Sequence, residues 1–491
     1  MKSKGSITVF LSLTFLIVLT LISGTLFAAK LSADRAAIAI STDEAVFSLF
    51  SCYDKDLLSR YDVFFIDGGA GSSSPAFEKH MQFLKDAIKE VLEPSHALLT
   101  GGTLLSASLS EMEITAYTTA AEQNGIIFAE QAVRYMQDTL GLQGIALLGK
   151  TLANENTVTA QENAGAAVDA QNAGSSMDAL EAQAAAMNAA AGAEGGTSSG
   201  NAAQELTDNP VDTIRELQRL SLLDLVYPDP EGISDRSADG ADLLTSRSLL
   251  PSLGVVETTG EADSGSGKLL FNEYLLTHCG SALAPGDAAL SYELEYLLFG
   301  HTQDKENLHA AAKKLMLIRT GVNAVFLLTD PVLHASVTEW ATAIAAALTQ
   351  PEFEPLIETI LIAAWAWAES LLDMRALFSG QKVALVKTSE NWQLRLENLP
   401  ALISSPDSLV RDAPGGMSYT DYLRTFLLTA SASEVRMRFL AIAESAIRLG
   451  CGRPDFRLDL CLDTVGIRAS FLCEGKVTCT TEKRASYRFD F

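Results

Sequence analysis

Cysteine is scarce, six in 491 residues with no Cys-x-x-Cys pair, which excludes a disulfide-dense miniature scaffold and a zinc ribbon. Histidine is equally sparse. His80, His96, His278, His301, His309 and His334 form neither an H-E-x-x-H motif nor any i, i+4 pair, so no helix face offers two imidazoles to a metal. Basic residues are outnumbered, 36 Lys+Arg against 61 Asp+Glu, for a formal charge of −25. That balance repels phosphate backbones and excludes a nucleic-acid binder built on net positive charge. With 34 Gly and 14 Pro the chain is not collagen-like, and 48% apolar residues suffice for a large core.

What the chain has is one long run without charge. Residues 7–29 are 23 consecutive uncharged residues, mostly Leu, Ile, Val, Phe and Thr, between Lys2 and Lys4 on one side and Lys30 on the other. A helix rising about 1.5 Å per residue crosses the roughly 30 Å hydrocarbon core over that length. The run exceeds the about 7–15 residues of a signal-peptide core, and it reads as a retained anchor. The two lysines before it place the short N-terminal tail in the cytoplasm and everything from Lys30 onward outside the cell. A second apolar stretch, residues 359–368, is bracketed by Glu358, Glu369, Asp373 and Arg375 and reads as a buried core helix.

Periodicity predicts an α+β, predominantly helical chain: a transmembrane helix continuing into a stalk, a small antiparallel sheet and a large helical insertion. The expected segments are a cytoplasmic tail at 1–6, the transmembrane helix at 7–29, a stalk helix with a small α/β unit at 30–150, and a low-complexity flexible insertion at 151–209. A helical region at 210–450 follows, with a disordered loop at 232–267, and a β meander closes the chain at 451–491. The stalk places Ile38, Thr42, Ala45 and Leu49 on one face. Strands are predicted over 61–67 and 103–118, the second with Met112, Ile114 and Ala116 on one side. The C-terminal segment reads as three strands turning at Val465-Gly466 and at Glu474-Gly475, joined to the first two in one sheet. A single helix is predicted over 419–449. Residues 151–209 lack any aromatic side chain and cannot hold a core.

Few motifs suggest chemistry. Residues 144–151, GIALLGKT, fit the phosphate-loop pattern G-x-x-x-x-G-K-[ST], but a predicted helix precedes them and an Ala/Asn-rich tract follows, where a strand and a helix are required. The hydrophobic string ending in Asp330 sits at the end of a helical run, so no nucleotide is expected. His278 and Cys279 are adjacent and diverge on a helix, and Glu293 and Glu295 are two apart and do the same. Those glutamates are expected to meet Lys or Arg on neighbouring elements. Cys451, Cys461, Cys473 and Cys479 fall within 29 residues of the C-terminal segment, where one or more disulfides are permitted but their pairing cannot be read from spacing. No catalytic, cofactor-binding or metal-binding set emerges, and the chain reads as non-enzymatic.

The N-terminal stretch KGSITVFLSLTFLIVLTLISGTLFAAKLSADRAAIAISTDEAVFSLFSCYDKDLLSRYDVFFID resembles the opening of a family of uncharacterised single-pass membrane proteins of clostridia-type Gram-positive bacteria. NGIIFAEQAVRYM, LLFNEYLLTHCG, LSYELEYLLFGHTQDKENL, LMLIRTGVNAVFLLTD, KVALVKTSENWQLRL, YTDYLRTFLL and RPDFRLD extend the likeness. At the N-terminus that family is similar to the pseudopilins of tight-adherence pilus systems. The resemblance implies cleavage between Gly5 and Ser6 and an accessory role at a pilus. It departs at Phe10, the fifth residue after that cut, where pilins usually carry a Glu. The implied partners are the lipid bilayer through residues 7–29 and membrane proteins of a pilus or secretion system. A cell-envelope scaffold or adhesion protein unrelated to pili is the alternative, ahead of an extracytoplasmic enzyme or sensor.

Overall fold

One unbroken helix, α1 (Lys4–Ser51), carries both the apolar run and its amphipathic continuation. It contains no proline, and Gly24, its one glycine beyond the first turn, has open space around it. The computed structural model describes residues 4–92, 105–140, 157–162, 220–238, 243–347, 351–395, 402 and 406–488. The expected insertion at 151–209 lies outside these except for 157–162. The chain divides into two units, one of Met1–Tyr135, Leu244–Ala262 and Ala443–Phe491, the other of Met136–Leu243 and Asp263–Ile442. These bounds cut across the segments read from the sequence.

In the first unit α1 is followed by α2 (Lys55–Tyr61), β1 (Ile66–Asp67), α3 (Phe77–Leu92) and β2 (Ser108–Thr119). The chain end supplies β3 (Cys461–Cys473) and β4 (Val477–Ser486). All pairings are antiparallel, with β3 central: β2 along one side, β4 along the other, and β1 against its first residues. Alternation puts Val465, Ile467, Ala469, Phe471 and Cys473 of β3 inward. They meet Ile38, Ala45, Val46, Leu49 and Phe50 of α1 and Leu84, Ile88 and Leu92 of α3, which recur at helical spacing on one face. Ile38, Thr42, Ala45 and Leu49 are all buried, as their spacing predicts.

Three strand readings need correction. Residues 61–67 do not form one strand: Asp62, at φ 53°, ends α2, and the backbone of Phe64 exchanges hydrogen bonds with the Gln131 side chain instead of a neighbouring strand. Only Ile66 and Asp67 pair, with Leu462 and Cys461. Val465-Gly466 is no turn, and the described residues of the C-terminal segment hold two strands, not three. Gly466 lies inside β3, where a Cβ would sit 3.1 Å from that of Ala116 on β2; the glycine serves a close approach between strands. A register shift between Ile114 and Ala116 reverses the alternation, so Met112 and Ile114 join the core but Tyr117 replaces Ala116 there.

The loop 232–267, expected to be disordered, is folded wherever it is described. Arg247 donates to Glu444 at 2.5 Å and Asp459 at 2.6 Å, and Leu253 pairs with Tyr117. Glu130 accepts from the amides of Thr259 and Gly260. Side-chain anchors of this kind leave no trace in composition.

The second unit is helical over most of its described residues. Its main elements are Gly265–His278, Glu293–Phe299, Asp304–Thr329, Pro331–Ala347, Glu354–Phe378 and Tyr419–Thr429, with the first part of Ala432–Gly450. The last two replace the single helix predicted over 419–449. Ala430 is extended at ψ 159°, and Ser418 and Asp421 form a capping box that starts the shorter one.

Candidate functional site

Over residues 7–29 α1 presents its side chains outward on every face, with Phe10 67%, Leu11 67% and Leu21 67% exposed. The hydroxyls of Ser12, Thr14, Thr20 and Thr25 each donate to a carbonyl three or four residues earlier in the helix. These four hydroxyls are thereby bonded within the helix itself, an arrangement suited to hydrocarbon. Gly5 and Ser6 lie in the first turn of α1. Immediately beyond the run the surroundings change. Asp34 is fully buried and accepts the Ser106 hydroxyl at 2.6 Å and the Ser106 amide at 2.8 Å, tying the chain ahead of β2 to the helix.

Among the described residues two helices are long and apolar enough to cross a membrane, Ile7–Ser51 and Pro351–Phe378, and the bent pair Asp304–Thr329 and Pro331–Ala346, at 88°, would make a third if taken as one span. They differ in environment. None of the most apolar window of Ile7–Ser51 is buried inside the protein, against 61% for Pro351–Phe378. The second helix also carries charge. Lys387 donates to Glu369 at 2.6 Å and to Asp373 at 2.8 Å, while Arg319 donates to Asp373 through Nε and Nη2. Asn323, Gln393 and the Leu394 amide complete the shell. Burial pushes the Glu369 carboxyl up. At Asp373 burial acts the same way, but Arg319 and Lys387 outweigh it and hold the carboxyl below its usual range. Two cations and two carboxylates, none more than 4% exposed, form a closed set that a substrate cannot reach. Sequence reasoning passed over this network, although Arg319/Asn323 and Glu369/Asp373 are i, i+4 polar pairs on otherwise apolar helices, a legible signal.

The remaining candidates are structural as well. Glu293 accepts from the Gly280 and Ala288 amides, and Glu295 from Ala282 and, at 2.5 Å, from the Tyr419 hydroxyl. Both are buried and meet backbone donors where Lys or Arg were expected, because the folded segment 280–288 delivers its amides to them. His278 stacks on Tyr274, and burial pushes the adjacent Cys279 thiol well up, away from nucleophilic reactivity. Asp330 caps the helix that follows it by accepting from Val332 and Leu333. The GIALLGKT stretch lies outside the described residues. A pocket of about 180 Å³ lined by Leu298, Lys314, Phe426 and Arg438 is smaller than an ordinary ligand site. Its cations are engaged, Lys314 over the Phe426 ring and Arg438 with Glu434 and two carbonyls. Among the described residues no group of three or more His, Cys, Asp or Glu is arranged to hold a metal ion.

The four C-terminal cysteines are not gathered into one cluster. Cys461 is buried with its thiol directed at the Arg457 carbonyl, and Cys451 sits beside Asp56 and Arg60. Cys473 and Cys479 alone are brought sulfur to sulfur.

An apolar N-terminal helix long enough to span a bilayer, running without a break into an α+β unit, defines the class of this chain. Within that class it belongs to a family of unknown function (DUF5702), whose model matches residues 200–473, more than half of the chain. No curated protein and no solved structure matches it.

Proposed function

We propose that this chain is a non-enzymatic, single-pass cell-surface protein with residues 1–6 cytoplasmic and the chain beyond Lys30 outside, acting as an accessory, pseudopilin-like component of a tight-adherence-type pilus. The observation that carries this reading is the division of α1: bare and apolar over residues 7–29, then buried against a small antiparallel sheet. Pilins are built on that plan, half span and half stalk to a head. Lys4-Gly5-Ser6 supplies the basic leader and the glycine at which a prepilin peptidase cuts. Phe10 gives no carboxylate to neutralise a neighbour's N-terminal amine in the membrane, which favours an accessory role over that of the main filament subunit. Its partners are then the bilayer and membrane proteins of the pilus or secretion system, with no nucleotide, nucleic acid or cofactor. The same departure at Phe10 supports the second reading, an envelope scaffold or adhesion protein that never enters a pilus.

N-terminal sequencing of the mature protein from native membranes separates them. A start at Ser6 is the expected result. A start at Met1 leaves a plain anchor and favours the scaffold, and a start near Lys30 means the run is a cleaved signal peptide and overturns both.

A further inference from the structure

The loop between β3 and β4 keeps parity across the hairpin. Cys473 pairs with Val477 and Phe471 with Cys479, so both thiols emerge on the face that packs against α1 and α3. The Cys473 S–H donates to the Cys479 sulfur across 3.4 Å. Backbone holds them there: Glu474 and Gly475 turn the chain with φ of 50° and 62°, and the Lys476 amide closes the turn onto the Cys473 carbonyl. The tip is also latched to the stalk just beyond the apolar run. Lys30 meets Glu474 at 3.1 Å, and the Glu474 amide donates to the Ser106 hydroxyl that bonds Asp34.

We propose that Cys473 and Cys479 are a modification site, oxidised to an intra-hairpin disulfide that staples the sheet end facing the base of the stalk. Bond formation needs the sulfurs to approach from 3.4 Å to about 2.05 Å, and because the two residues are diagonal in the register the hairpin end must draw in with the side chains. Cys479 is half-buried and accessible to an incoming disulfide; Cys473 is buried, and burial and its neighbour push its thiol up to about 12. The Cys479 thiolate attacks an external disulfide, from a small molecule or a dithiol oxidant, and one external thiol leaves. Cys473 then gives up its proton and attacks the Cys479 sulfur of that mixed disulfide, expelling the second external thiol. Two protein thiols lose two protons and two electrons, and the external disulfide is reduced to two thiols. Occurrence of the bond in the cell rests on the outward orientation proposed above, whereas the pairing itself rests on the hairpin alone.

The test uses the full-length protein in detergent, reduced, freed of reductant, exposed to glutathione disulfide, alkylated with N-ethylmaleimide and digested. A peptide joining 473 to 479, with two of the six thiols protected, is the expected product. In Cys473→Ser the reaction should stop at a glutathione adduct on Cys479. Maleimide on both residues, separate glutathione adducts on both, or a bond joining any other pair overturns the proposal. On intact cells, Cys52, exposed near the end of α1, reports the side of the membrane through an impermeant maleimide. Labelled Cys52 together with reduced Cys473 and Cys479 overturns the bond in the cell. A closed Cys52 overturns the outward orientation and leaves the purified protein to decide the pairing.

Discussion

Glu295 has its protonation placed by the fold near neutral pH. It is wholly buried, and desolvation pushes its carboxyl from 4.5 up to about 7 even though Tyr419 and the Ala282 amide donate to Oε1. Oε2 has no partner. The folded state holds this proton more tightly than the unfolded chain does. The resulting stabilisation is complete below pH 4.5 and is lost as pH rises towards about 7. A shift of that size corresponds to about 3 kcal/mol. Glu295→Gln keeps an acceptor at the same place without the charge. Urea unfolding of the full-length protein between pH 5 and 8 should therefore show a steeper fall in wild type than in the variant. Equal slopes would mean that Glu295 does not titrate in this window.

At the scale of elements, the junctions are where side chains are least free to change. Gly68, directly after β1, has no room for a methyl group: a Cβ would lie 2.3 Å from the Leu460 carbonyl oxygen and 3.2 Å from Leu462 Cγ. Since the nearer obstacle is backbone, Gly68→Ala must move β1 away from β3 or displace the turn before α3. Overpacking of this kind costs about 1–3 kcal/mol. The expected result is a lower urea midpoint for the sheet-containing unit, followed by near-ultraviolet circular dichroism of its tyrosines, and an unchanged midpoint would show that the turn relaxes freely. Gly71, with φ 81° and nothing near its Cβ position, makes a useful comparison, because Gly71→Ala meets only the backbone penalty of about 1 kcal/mol.

For the whole molecule the decisive property is how the chain partitions between membrane and water. Residues 7–29 offer an uncharged helix in which Ser12, Thr14, Thr20 and Thr25 donate back to its own carbonyls, whereas Pro351–Phe378 carries Glu369 and Asp373 into a protein interior beside Lys387 and Arg319. One span is therefore expected to hold the protein in the bilayer. Alkaline carbonate extraction should leave the wild-type chain in the membrane pellet. Val18→Arg, which places a cation near the centre of the run at a cost of about 2.5–3.5 kcal/mol, should shift a large share to the supernatant. Retention of that variant in the pellet would show that a second segment anchors the chain.

Much of this was legible in the residues. The apolar helix long enough to span a bilayer follows from the absence of charge between Lys4 and Lys30, and the buried face beyond it from the spacing of Ile38, Thr42, Ala45 and Leu49, because one-dimensional periodicity is what a helix reads out. The helical core around residues 359–368 was equally clear, since charges bracket an apolar run too short to cross a bilayer. Tertiary structure alone decided the rest. Gly466 looks like a turn residue until Ala116 is seen against it, Phe64 looks like a strand residue until Gln131 takes its hydrogen bonds, and 232–267 looks disordered until Glu444 and Asp459 hold Arg247. Each outcome depends on a partner more than 60 residues away, and local pattern carries no information about a contact that only chain folding creates.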